Sequence, residues 1–198
     1  MKMVLSALFI LLWFYPKSQN NYLKNDYFEN GIEKIKLHFK MPRGFYQPDS
    51  IKKKMYIAKR IYNVNYQINS DDNKVKICFL VLKQNQDLER KVKLVNPNYN
   101  ISKEYLTYIP FLCKNIGVET FEDGKISYYN RRLLRKLNID NGVEYIIRLK
   151  EPYEGKFSFL KYTFLLKKYN FKVEIFQFYE DINNEHQELK TMIRYKND

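Results

Sequence analysis

Glycine is scarce in this chain, with six in 198 residues, and cysteine and histidine are scarcer still at two each. So few glycines leave little from which to build a phosphate-cradling loop, and the chain contains no GxGxxG, P-loop or GxSxG. HExxH and CxxC pairs are also missing, and two His with two Cys lack the spacing of a zinc ligand set. No metal and no cofactor is therefore expected. A nucleophilic dyad of Cys113 with His38 or His186 needs only that the partners meet in space. The plainer reading is a loop cysteine and two solvated imidazoles. The carboxylates Glu119, Glu122 and Asp123, and the pair Glu151 and Glu154, flank turns. Acidic residues belong there for conformational reasons, so neither group is assigned acid–base work as in glycosidases. A non-enzymatic protein is expected.

Long apolar runs are also few. Val4 to Tyr15 is the one that stands out, preceded by Met1-Lys2-Met3 and followed by Pro16-Lys17-Ser18. The charged, apolar, polar order is that of a secretory signal peptide. The run of about 12 residues falls short of the ~20 that a membrane-spanning helix needs. Residues 1–18 are read as the leader and 19–198 as a single globular domain, secreted or held in a secretory organelle, with no stable membrane span after cleavage. Pro16, two places before Ser18, leaves open inefficient cleavage or a cut a few residues away.

Basic residues are plentiful. Lys and Arg total 35 against 22 Asp and Glu, a formal charge of +13. Removing Lys2 and Lys17 with the leader leaves 13 − 2 = +11. Such a balance points to polyanions. Part of it is compositional, because Lys, Asn, Ile, Tyr and Phe abound while alanine appears only as Ala7 and Ala58. That bias is what an A+T-rich genome produces. Clustered arginine is harder to explain that way: only eight of the 35 basic residues are Arg, yet Arg131, Arg132 and Arg135 fall within five positions, followed by Lys136. Guanidinium forks grip phosphate or carboxylate bidentately. Tyr128 and Tyr129 lie beside them and suit stacking on sugars or bases. These six residues form the candidate binding patch.

In an oxidising compartment Cys78 and Cys113 are candidates for one disulfide. Closing a loop of about 35 residues would stabilise the fold by roughly 3–4 kcal/mol. The alternative is two buried thiols. Asn100-Ile101-Ser102 is an N-glycosylation sequon, which marks Asn100 as a candidate surface acceptor.

The expected fold is α+β and predominantly antiparallel, a meander forming a sandwich or partly closed barrel, with a helix in the N-terminal half and a short C-terminal helix. Within residues 19–48, Tyr22, Leu23, Phe28, Ile32, Ile35 and Phe39 suit a short helix ended by Pro42. Pro48-Asp49-Ser50 reads as a helix start, and Ile51, Met55, Ala58 and Tyr62 recur at helical spacing. Period-two strands are expected at 64–68, 74–83 and 90–95, the second apolar on both faces and therefore central. Asp123-Gly124 and Asn141-Gly142 read as tight hairpin turns. Strands follow at 143–150, 156–168 and 171–179. Residues 129–137 are read as part helix and part strand, and Glu180 to Tyr195 as the closing helix.

Three functional classes follow. The first is a secreted binding protein whose basic, tyrosine-rich surface engages a protein or an anionic polymer, with nucleic acid the less favoured partner. The second is a carrier of a small hydrophobic ligand in a lipocalin-like cup. Its weakness is that Trp13, in the leader, is the only tryptophan, so the Gly-x-Trp of the first lipocalin strand is missing. The third is a plastid- or organelle-targeted protein of a protist, since Lys and Asn crowd residues 19–60.

Overall fold

A computed structural model describes residues 37–49, 53–83, 86–184 and 192–195. The leader and most of the expected helix in residues 19–48 lie outside these residues. Among the described residues the fold is α+β, built on one seven-stranded antiparallel sheet. Its strands are β2 (Phe45–Tyr46), β5 (Tyr66–Ser70), β6 (Val75–Lys83), β7 (Ser127–Tyr128), β8 (Asn141–Tyr153), β9 (Phe157–Lys167) and β10 (Phe171–Tyr179), in the order β2-β5-β6-β10-β9-β8-β7. The order is open, with β2 and β7 at its edges, so the sheet is not a closed barrel.

The centre of the sheet follows directly from the residue pattern. All nine residues of β10 are buried, as are the first six of β6. Alternate residues point to opposite faces, so apolar residues at every position require a cover on both sides. Helix α2 (Tyr105–Ile116) and the hairpin β3 (Lys54–Ile57) and β4 (Arg60–Asn63) cover one face. Helix α3 (Arg131–Leu137) and the ribbon of β1 (Leu37–Phe39) with β11 (Ile193–Tyr195) cover the other. On the α2 face, Tyr105, Ile109, Leu112 and Cys113 pack with Leu160, Tyr162, Phe164, Phe176 and Phe178. On the α3 face, Leu137 and Ile139 pack with Ile77, Phe79, Leu165, Phe171, Val173 and Ile175. Each such side chain contributes about 1.5–3 kcal/mol on burial.

Several expectations are corrected. The helix predicted from Asp49 to Tyr62 is a hairpin: Met55 pairs with Tyr62 and Ile57 with Arg60. Ala58 and Lys59 turn it at φ 51° and 61°, the left-handed pair of a two-residue turn without its usual Asn or Gly. Met55 and Ile57 face the core, while Tyr56 and Ile61 face outward. The strand expected at 90–95 belongs to helix α1 (Gln86–Val95). Asp87 and Glu89 in its first turn, Lys93 in its last and the Glu89–Lys93 pair at 2.9 Å favour helix locally.

Neither Gly dipeptide makes a hairpin. Asp123-Gly124 lies in a short 3-10 turn, Asp123–Lys125, and Gly124 does not adopt positive φ. Asn141-Gly142 begins strand β8, since α3 has already ended at Asn138, which takes the left-handed cap at φ 53°. Gly142 serves close approach instead. A Cβ there would stand 2.6 Å from the Tyr129 ring, which occupies the space a side chain would need. At the C-terminus, Ile182–Asn184 form a single 3-10 turn, and Ile193–Tyr195 pair with Leu37–Phe39 as strand rather than helix. Residues 185–191 lie outside the described set. Leu37, His38 and Phe39 are likewise strand.

The candidate Cys78–Cys113 bridge does not form; both thiols are free and buried, the alternative reading. Cys78 lies in one transverse row of the sheet with Phe176, Tyr162 and Tyr145. The Cys113 thiol meets the Tyr145 side chain. Three inter-strand steps, about 14 Å, separate Cys78 from Tyr145, against the ~7 Å Cα limit for a disulfide. Burial pushes the Cys78 thiol up to about 12, so it is inert at neutral pH.

Candidate functional site

Helix α3 is positioned by its own apolar residues. Leu137 is buried and Leu133 and Leu134 are half-buried against the sheet. Asn130 caps the start, its side chain accepting from the Leu133 amide at 2.9 Å. This seating turns Arg131, Arg132, Arg135 and Lys136 outward, and all four are exposed. None forms an ion pair with a described carboxylate. Arg135 and Lys136 sit in the last turn, where the helix dipole favours them. Arg131 and Arg132 sit in the first turn, where no acidic residue offsets them and the dipole opposes them.

Two neighbouring elements extend this cationic layer. The β9–β10 turn carries Lys167 and Lys168. Lys167 Nζ reaches Asn138 at 3.3 Å and Asp140 at 3.4 Å, and the Lys168 amide donates to Asp140 at 2.7 Å. Strand β11, packed beside α3, contributes the exposed Arg194. Four of the eight arginines of the chain thus share one layer. Arg194 was not legible in the sequence, because its strand partner, His38, lies far away along the chain.

The two tyrosines do not join the cations as a pair. Tyr128 and Tyr129 are consecutive residues at the sheet edge, so they point to opposite faces. Tyr128 registers with Val143 and meets the Tyr105 ring edge-on at 6.1 Å, on the α2 face. Tyr129 turns toward the α3 face, where its hydroxyl donates to Glu144 Oε1 at 2.6 Å. Glu144 Oε2 in turn holds Lys161 at 3.0 Å in a buried ion pair. Tyr128 remains 58% exposed and available for contact; Tyr129 is half-buried and structural. Asn100 is exposed, and its side chain accepts from the Ser102 amide at the start of the 3-10 turn Ile101–Lys103.

A second feature lies on the α2 face. An open cleft of about 310 Å³ runs between β4, the N-terminal half of α2 and the ends of β6, β9 and β10. Its floor carries Leu80, Tyr162, Phe164 and Glu174; Arg60 and Tyr62 come from β4, and Glu104 and Tyr108 from the start of α2. Lys172 Nζ bridges Glu104 and Glu174 at 2.9 Å each. Burial works against that charge, but the carboxylates outweigh it and hold the Lys172 pKa above the usual lysine value. The Arg60 guanidinium lies 3.9 Å over the Phe111 ring. The hydroxyls of Tyr62 and Tyr108 are buried against each other, with Arg60 beside Tyr62, and neither makes a full hydrogen bond. Burial raises the pKa of both, and of Tyr162, above the ordinary phenol value. Sequence reasoning missed these residues: they come from five elements, one of them read as helix and another, α2, not recognised.

No group of three or more His, Cys, Asp or Glu among the described residues could hold a metal. No described helix is long and apolar enough to cross a membrane. Compared with known proteins, the chain matches no family model, no curated sequence and no solved structure.

Proposed function

We propose that the protein is an exported, non-enzymatic binding protein that grips an anionic polymer through the cationic layer of α3, the β9–β10 turn and β11. The observation that carries this reading is the placement of Arg131 and Arg132. Cations in a first helical turn cost about 0.3–1 kcal/mol each against the dipole, and here nothing in that turn compensates. Folding does not need them, whereas a phosphate or sulfate ligand does. Arg135, Lys136, Lys167, Lys168 and Arg194 widen the same surface, with Asp140 as the acidic residue among them. Export rests on the apolar run Val4 to Tyr15 and its flanks. The inward turn of Tyr129 leaves few stacking planes in the layer and disfavours a single-stranded nucleic acid. The carrier reading lacks support, since the sheet is open and both its faces are filled by side chains.

Heparin retention across a salt series tests the layer. The Arg131→Ala, Arg132→Ala, Arg135→Ala triple variant should elute early, with a salt slope smaller by about 3. Arg131→Glu with Arg132→Glu should also lose retention while thermal stability stays level or rises, because acids suit a helix start. Retention equal to the parent chain in both variants would refute the assignment.

A further inference from the structure

We infer that the cleft between β4, α2 and the sheet is a second binding site, for a neutral, hydroxyl-rich ligand such as a glycan unit. Charge narrows the class first. Arg60 and Lys172 face Glu104 and Glu174, so the formal charge of the cleft cancels. An anion is repelled by the carboxylates and a cation by the guanidinium. Hydrogen bonding narrows it further. Lys172 takes Oε2 of Glu104 and Oε1 of Glu174, which leaves each carboxylate one oxygen to accept from a ligand hydroxyl. Tyr62 and Tyr108 add two hydroxyls that lie against each other without a full hydrogen bond, and a buried hydroxyl left short of partners is a cost that a ligand reduces once either ring turns toward it.

The walls supply the other half of such recognition. Tyr62, Tyr108, Tyr162 and Phe164 line the cleft, and aromatic rings suit the C–H faces of a sugar as well as its polar edge. The exposed Ile61 and Leu82 form an apolar rim. A volume of about 310 Å³ sits at the small end of ligand pockets, ~300–1,000 Å³, so one or two sugar rings fill it. This site is separate from the cationic layer, which lies across the sheet.

Saturation-transfer NMR with methyl β-glucoside, methyl α-mannoside and methyl β-N-acetylglucosaminide tests the inference on the purified chain. At least one should show transfer at millimolar concentration, unchanged by raised salt and by the Arg131, Arg132, Arg135 triple substitution. That independence separates failure of this site from failure of the polyanion surface. Tyr62→Phe and Tyr108→Phe remove hydroxyls that make no full hydrogen bond in the fold, so both variants should fold normally and bind about fivefold more weakly or worse. Asn63→Trp, at the exposed rim, should block the cleft without touching the core. Absence of transfer to all three glycosides, or transfer undiminished in the Phe and Trp variants, overturns the assignment.

Discussion

The two faces of the central sheet both pair their buried charges, but they differ in how they treat buried hydroxyls. On the α3 face the buried polar side chains of β8, β9 and β10 find mates: Lys161 with Glu144, Glu144 with Tyr129, Gln177 with Thr163, and Tyr179 with Gln177. On the α2 face Tyr62, Tyr108 and Gln67 each leave an atom without a full hydrogen bond, and seven phenols have their ionisation suppressed. The difference is one of purpose as well as packing. A matched network rigidifies and specifies a core, and it underlies the layer whose outer surface carries the arginines. The unmatched hydroxyls gather where the cover of the sheet stays open.

The sharpest way to break this comparison is Lys161→Met. Removing one partner of a buried pair leaves a buried charge behind, and about 3–5 kcal/mol of stability should be lost in a urea titration. A loss under about 1 kcal/mol, the range of exposed pairs, would mean the α3 face is wetter than its burial indicates. Next in size is Gly142→Ala. Its Cβ would collide with the Tyr129 ring, and overpacking of this kind costs about 1–3 kcal/mol. Gly124→Ala should move stability by no more than about 0.5 kcal/mol, since its Cβ would meet open space without positive φ. Equal effects at the two glycines would contradict the close-approach account of Gly142.

The α2 face is probed by alkali. Burial raises Tyr62, Tyr99, Tyr105, Tyr108, Tyr145, Tyr153 and Tyr162 above the ordinary phenol value of 10.0. The unfolded chain therefore loses these protons first and binds fewer of them. Stability is fully present below pH 10 and declines as pH rises past it, by about 1.4 kcal/mol per unit for each phenol still protonated in the fold. Lys172, held above 10.5 by its carboxylates, adds to the decline in the same direction. Tyrosine absorbance should therefore rise in one cooperative step that coincides with loss of the circular dichroism signal. A smooth titration of all tyrosines in a still-folded chain would show that the α2 face admits water.

Much of the sheet was legible from local pattern. Residues 74–83, 156–168 and 171–179 carry apolar side chains on both faces, and they became β6, β9 and β10 at its centre. The hairpin at 54–63 was not legible, because Ala58 and Lys59 lack turn chemistry while Met55, Ala58 and Tyr62 mimic a helical stripe. Gly124 and Gly142 misled for the converse reason: they look like turn residues, but one sits in open space and the other admits an aromatic ring. For the candidate sites, the clustering of Arg131, Arg132 and Arg135 could be read directly. The arrival of Arg194 and the parting of Tyr128 from Tyr129 could not.

What the chain dictates by itself is the antiparallel α+β class, the buried centre of the sheet and the run of cations on α3, because each depends on neighbours within a turn or a strand. Which face each edge residue meets, the isolation of Cys78 from Cys113, and the assembly of Arg60, Tyr62, Glu104, Tyr108 and Glu174 into one cleft were decided by tertiary structure. Those outcomes depend on strand order and register, which bring together residues that no local periodicity relates.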